Sequence, residues 1–371
     1  MMATMPPADP DSSVPTFAVE VRAPARLHLG MMAFGSPQVR SFGGVGVMVD
    51  RPGTVLRVRR AARFEARGSH AERAVTFARA CAQAWGLHDA ACAIDVVAAP
   101  RSHVGLGSGT QMGLAVAAAM RHLFVHQPPS DELPAPPQHP LQPEPDAADH
   151  ELAFDIRESL ELARTVGRGR RSCVGVYGFS RGGLIVEAGR TVPATVPVED
   201  DATREFSPMV ARVRLPSAWR CVVITGREAV GLSGEAEKAA FGALPPVPQE
   251  VSAELARIAL LELLPAAVEG KFAEFSAAVR AYGRMAGKPF EAASQQLPYA
   301  SATENLLELL GELGAPGAAQ SSWGPAVMAC CESLDSAGEL IDRMEGLDIA
   351  QHHEITIARF DPQGATLRVL E

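Results

Sequence analysis

Apolar positions along this chain recur with two different periods, and the switches between them mark out the elements. FAVEVRAPAR, beginning at Phe17, alternates every second residue as far as Pro24, the period of a half-buried strand. Beyond the proline, Arg26 and His28 share one side of the extended chain, and Leu27 and Leu29 share the other. Glycines 43, 44 and 46 then lead into VMVD and TVLRVRR, which reads as a hairpin or meander. Over Glu72 to Trp85 the period becomes helical, with Ala74, Phe77, Ala78 and Cys81 on one stripe. It returns to two in ACAIDVVAAP and changes again, without a break, in HVGLGSGTQMGLAVAAAM from His103 to Met120. Strand, glycine turn and small-residue helix therefore follow one another directly.

Further along, Ala153 to Val166 has the spacing of a helix, and CVGVYGF and LIVEAG read as strands on either side of a turn at Arg181 to Gly183. WRCVVITG is a strand, and helical patterns cover Glu250 to Val268, Phe272 to Ala286 and Ser301 to Leu313. A glycine loop then enters the strand AVMACC, followed by a helix from Ser336 to Met344 and the strands HHEITIARF and ATLRVL. That order predicts an α+β sandwich with helices on one face of an antiparallel sheet.

At 371 residues the chain is long for a single core, so two domains are expected. The predicted division is a disordered leader over 1–16, an N-terminal domain over 17–215 and a C-terminal domain over 216–371. Within the first, the proline-rich stretch 127–150 reads as a flexible surface insertion. A net charge of −9 argues against a general nucleic-acid binder, so any anion site must be local. The N-terminus has neither the basic nor the apolar region of a signal peptide, and no run approaches the roughly 20 apolar residues of a membrane span, so a cytoplasmic protein is expected. The six cysteines show no C-x-x-C pair and no zinc spacing, and are expected to be reduced, packed thiols.

The glycine turn carries the chemistry. Gly105, Gly107 and Gly109 allow positive φ and close approach of a ligand, with Leu106 between them. At the start of the following helix several N–H groups have no intrahelical partner and the dipole adds positive charge, so an anion is held without a basic side chain. Ser108 and Thr110 add hydroxyls that suit a cap or a metal riding on that anion. The pattern is neither G-x-x-x-x-G-K-[ST] nor G-x-G-x-x-G, and a tight turn before a buried helix would use glycine in the same way. Arg168, Arg170 and Arg171 crowd a second glycine turn, as a solvated loop or as a clamp on phosphate. Glu235 and Glu237 approach a later helix, as magnesium ligands or as ordinary N-terminal charges.

APARLHLG (Ala23 to Gly30), VGLGSGTQ (Val104 to Gln111) and GAAQSSWGP (Gly317 to Pro325) resemble, in order and spacing, the three motifs of the GHMP kinase superfamily. That resemblance implies a two-domain α+β fold, an N-terminal domain like that of ribosomal protein S5 and a C-terminal ferredoxin-like domain, with the site between them. SFGGVGVMVD, GLGSGTQMGLAVA, RSCVGVYGFSRGGLIVEAG, GLSGEAEKAAF and AAQSSWGPAVMA are similar to one branch, the β-ribofuranosylaminobenzene 5'-phosphate synthases of tetrahydromethanopterin biosynthesis. This resemblance implies condensation of 5-phosphoribosyl 1-diphosphate with 4-hydroxybenzoate or 4-aminobenzoate, with loss of CO2 and diphosphate. It also implies Mg2+ as cofactor and a homodimer. The segment from Gly167 to Gly183 has no aspartate where many of the kinases carry one, which weighs against phosphoryl transfer.

On this reading the turn from Gly105 to Thr110 holds the diphosphate, with Mg2+ on Ser108, Thr110 and Glu235, and Arg26, Arg168, Arg170 or Arg171 grips the remaining phosphates. His28 or His103 suits a base near the ring, since histidine titrates near neutral pH. Ser321, Ser322 and Trp323 are placed to line the aromatic pocket. An ATP-dependent small-molecule kinase on the same fold, or a ligand-binding protein without turnover, stays open beside it.

Overall fold

The computed structural model describes residues 18–34, 40–125, 152–191, 205–228, 244–294, 300–322 and 324–370. The leader 1–16, the insertion 127–150, Trp323 and both Glu235 and Glu237 lie outside the described residues.

Two long strands, β1 (Ala18–Met31) and β2 (Gly44–Arg60), pair antiparallel and form the spine of the first sheet. With β3 (Glu65–Gly68), β4 (Cys92–Ala98), β5 (Leu152–Ala153) and the terminal strand β12 (Thr366–Leu370), the order is β3-β4-β2-β1-β12-β5. The other end of β2 pairs with β6 (Leu184–Glu187), which pairs in turn with β7 (Met209–Val213). Helices α1 (Ala71–Ala84), α2 (Ser108–Phe124), α3 (Ile156–Thr165) and α4 (Val174–Arg181) pack on this sheet around a core that includes Val19, Leu56, Phe77, Met112, Leu162 and Phe179.

Helix α4 corrects the strand expected at CVGVYGF. Its residues from Val174 to Ser180 are buried all round, so no polar stripe marks the helical period. The glycines serve packing instead: a Cβ on Gly178 would run into the Met48 side chain, and one on Gly175 would stand 3.4 Å from Gln111.

The second sheet is antiparallel, as expected, in the order β11 (His353–Arg359), β8 (Arg220–Gly226), β10 (Val327–Cys331), β9 (Ala318–Gln320). Its helices, however, cover both faces. Cys221, Val223, Met328 and Cys330 face α5 (Gln249–Ile258), a π-helical turn (Ala259–Leu263), α6 (Leu264–Glu269) and α7 (Phe272–Ser294). Val222, Ile224, Val327 and Ala329 face α8 (Ala300–Glu312) and α9 (Leu334–Glu345), and α10 (Ile349–His352) adds Ile349 to that layer. Alternate residues of β8 and β10 are apolar on both sides, and each side takes a layer of helices. The last strand, β12, leaves this unit and pairs with β1, so the C-terminus completes the first sheet.

The two units share one core. A register shift between Ala23 and Ala25, at Pro24, divides β1: Val19, Val21 and Ala23 belong to the core under α2, whereas Ala25, Leu27 and Leu29 join Val223, Met328, Val279 and Tyr282. Arg26 and His28 are thereby turned toward α2 and α4. All six cysteines are free and buried.

Candidate active site

The glycine turn is built by backbone packed on backbone. Gly105 and Gly107 have φ of 94° and 67°, and Gly107 is the N-cap of α2. A Cβ on Gly105 would collide with the Ser321 carbonyl, and one on Gly324 with the backbone of Val104 and Gly105. The turns at 104–107 and 321–324 are thus pressed together, with Ala326 N–H donating to Val104 O at 3.0 Å. Ser321, wholly buried, locks them: its Oγ donates to Gly105 O at 2.7 Å and accepts from His28 N–H at 2.9 Å. Its neighbour Ser322, at φ 56°, donates its N–H to His28 O at 2.8 Å.

This arrangement leaves backbone donors at the start of α2 unused. Thr110 and Gln111 N–H return to Gly107 O, but the N–H groups of Ser108 and Gly109 meet no acceptor among the described residues. The first turn contains no acidic residue that would compete for an anion. The side chains of Val104 and Leu106 turn into the shared core and line a cavity of about 290 Å³ with Pro100, Arg101 and Glu354. Leu106 therefore offers a ligand only backbone, and its carbonyl already accepts Arg26 N–H at 3.0 Å.

Of the predicted cations, Arg26 runs beside Gly107, where an added Cβ would stand 3.1 Å from the arginine Cβ. Arg168 lies with its guanidinium over the Phe77 ring, 5.1 Å from the centre. The Arg170 side chain folds over Gly167, and Arg171 is half-exposed. A further cation, Arg73, was hidden as one polar position of an amphipathic helix. Its guanidinium sits against Gly109, 5.9 Å over the same Phe77 ring, with Nη1 3.4 Å from Ser102 Oγ. It forms no ion pair among the described residues, and burial lowers its pKa.

The two histidines part company. His103 is exposed at φ 63°, before the glycine turn. His28 is 1% exposed and central. Gly30 N–H donates to its Nδ1 at 3.2 Å, which assigns the ring proton to Nε2, 3.1 Å from Ser172 Oγ. Burial first, and the Arg26 charge second, hold its pKa well below the ordinary range, so it is neutral at pH 7.

Beside Cys173 lies Glu187, the last residue of β6, where the residue pattern shows only a strand. The one signal was a carboxylate inside an apolar run between glycines, since a buried charge needs a reason. It is fully buried and its Oε2 accepts Cys173 N–H at 2.8 Å. Burial pushes its pKa up to about 7 against the opposing pull of Ser172, the Cys173 N–H, Ser207 and Arg26. Its other oxygen, Oε1, is buried and has no hydrogen bond among the described residues.

A magnesium ion on a diphosphate keeps most of its ligands as water and phosphate oxygens, so it asks one or two oxygens of a protein. Ser108 Oγ and Thr110 Oγ1 take part in no hydrogen bond among the described residues and fit that demand. No group of three His, Cys, Asp or Glu side chains converges among the described residues, so a metal held by protein alone finds no site there.

The fold has counterparts among solved structures. No family model matches the chain. Mevalonate pyrophosphate decarboxylase from Streptococcus pyogenes superposes with a TM-score of 0.62 at 11% identity, over 95% of this chain and 99% of that one. Homoserine kinase from Cytophaga hutchinsonii gives 0.56 at 14% identity, over 94% and 97%. The chain has the GHMP-kinase fold, as its three glycine motifs led one to expect. Within that class its sequence relatives are β-ribofuranosylphenol 5'-phosphate synthases: the Archaeoglobus fulgidus protein of that name is 28% identical over 317 residues, 85% of this chain and 88% of that protein. Among the described residues no helix is long and apolar enough to cross a membrane.

Proposed function

We propose that this protein is a ribosyltransferase that joins 5-phosphoribosyl 1-diphosphate to 4-hydroxybenzoate or 4-aminobenzoate, releasing CO2 and diphosphate, as a step of tetrahydromethanopterin biosynthesis in the cytoplasm. The observation that carries the reading is the start of α2, where the Ser108 and Gly109 N–H groups meet no acceptor among the described residues and the first turn carries no acidic residue. The name borne by its relatives supplies the ribosyl and phenol halves of the reaction.

The donor loses diphosphate as positive charge builds on the ribose. Fixed N–H dipoles at Ser108 and Gly109 stabilise the departing charge with little reorganisation, and Arg26 and Arg73 flank the same turn. Mg2+, held through the Ser108 and Thr110 hydroxyls with Glu235 as a further candidate, would neutralise part of that charge. Ser321 acts here as a brace, its hydroxyl being engaged by Gly105 and His28, which leaves Ser322 and Trp323 as the candidates for contact with the aromatic acceptor. The working form is proposed to be a homodimer.

Purified protein given the phosphoribosyl donor, Mg2+ and carboxyl-labelled 4-hydroxybenzoate is expected to release labelled CO2 only when all three are present. Failure with both benzoates, together with acceptor-dependent ADP formation from ATP, would replace this reading by a kinase.

A further inference from the structure

His28 is poorly placed to take a proton from a substrate. Its Nδ1 lone pair is occupied by Gly30 N–H, and its Nε2 already carries the ring proton, directed at Ser172 Oγ. Ser172 is the half-buried member of this group, and Val174 N–H approaches the same Oγ at 3.3 Å. With donors arriving from His28 and Val174, the hydroxyl keeps its own proton to give away. The carboxylate beside it is that of Glu187, whose Oε2 accepts the N–H of the next residue, Cys173, at 2.8 Å and whose Oε1 is buried and has no hydrogen bond among the described residues. No solvent reaches Glu187, so protons come and go only through a neighbour.

We propose that Glu187, reached through the Ser172 hydroxyl, is the proton acceptor that ionises the acceptor's ring hydroxyl, and that His28 is a positioning residue that orients Ser172. This assignment rests on the ribosyl-transfer reading and names the base within it. In the step, the ring hydroxyl gives its proton to Ser172 Oγ while the Ser172 proton passes to Glu187. The O–H electron pair stays on the phenolate and is delocalised to the para carbon. That carbon bonds to C1 of the ribose as the C1–O bond to diphosphate breaks, its electrons leaving with diphosphate. The bond to the carboxylate then breaks, CO2 departs, and its electron pair restores the aromatic ring as a phenolate. The phenolate takes the proton back from Glu187 through Ser172, so the base is regenerated in each turnover. A carboxyl group that titrates at about 7 can both accept and return a proton near neutral pH.

The test compares wild type, Glu187→Gln and Ser172→Ala, all full length, with two acceptors: 4-hydroxybenzoate and 3-fluoro-4-hydroxybenzoate, whose hydroxyl ionises more readily. General-base catalysis is worth about 100-fold or more, so Glu187→Gln is expected to lose about that much of kcat with 4-hydroxybenzoate. The loss should shrink by about tenfold with the fluorinated acceptor, because less help is needed to ionise it. Ser172→Ala should follow the same pattern and carries the comparison alone if Glu187→Gln does not fold. The bound benzoate should also show phenolate absorbance on the wild type and phenol absorbance on both variants. Equal losses with both acceptors, or an unchanged phenolate band on a folded variant, would overturn the relay while leaving the ribosyl-transfer reading intact. Wild type inactive toward both hydroxybenzoates would overturn the assignment, and inactivity toward 4-aminobenzoate as well would sink the ribosyl-transfer reading with it.

Discussion

Replacing Ser321 by alanine probes the joint on which the site is built. The change removes a single oxygen, but that oxygen is wholly buried and serves two backbone groups on different elements, Gly105 O and His28 N–H. A buried polar group deprived of its partner costs about 1–3 kcal/mol, so two of them together should cost about 2–6 kcal/mol of stability. The same loss frees the glycine turn from β1, so the geometry of the open N–H groups should loosen and CO2 release should fall with it. Urea unfolding followed by tryptophan fluorescence measures the first effect as a lower midpoint at unchanged slope. Ser322→Ala is the control: its hydroxyl makes no hydrogen bond among the described residues, and its effect should stay within about 0.5 kcal/mol. A Ser321→Ala protein as stable and as active as its parent would refute the claim that the two glycine turns are held together through this hydroxyl.

Two further outcomes follow from groups that the sequence reading did not single out. Arg73→Gln should raise KM for the phosphorylated donor by about tenfold or more, the worth of one charge-assisted hydrogen bond, with KM for the benzoate nearly constant; equal changes in both would deny it a place at the phosphate. Glu187 titrates at about 7 when folded against 4.5 for the free group, so the native state resists its ionisation and wild type loses stability as pH rises from about 4.5 to about 7. Glu187→Gln lacks that loss, and by pH 8 it should have gained about 3 kcal/mol relative to wild type compared with the difference at pH 4. Urea midpoints at the two pH values give this difference directly. The opposite drift from His28, whose lowered pKa favours the native state as pH rises toward 6.5, is common to both proteins and cancels.

Much of this molecule was legible in its residue pattern. Period two gave β1, β2, β4, β8 and β11, and period 3.6 gave α1, α2, α3 and the long helices after Gln249, because each of those elements buries one face more than another or runs between clear glycine and proline stops. The glycine turn could be read too, since few other residues tolerate φ near 67° or 94°. Pattern failed at α4, where all sides are buried and no periodicity survives, and at the second sheet, where two apolar faces gave no hint of where the second layer of helices would go.

By itself, then, the chain determined most of its local elements, its fold class and a glycine turn that opens a helix. Only the tertiary structure decided which polar side chains share that turn. Ser172 and Glu187 are distant from His28 in sequence, and Arg73 precedes Gly109 by a whole strand and loop. Their meeting depends on the bulge at Pro24 that aims β1, on the burial of α4 and on β6 pairing with β2. The physical reason is that periodicity records only whether a residue faces the inside. Which partner it meets there, and hence whether a carboxylate is ionised or neutral, is set by contacts that exist only once the sheets and helices have closed on one another.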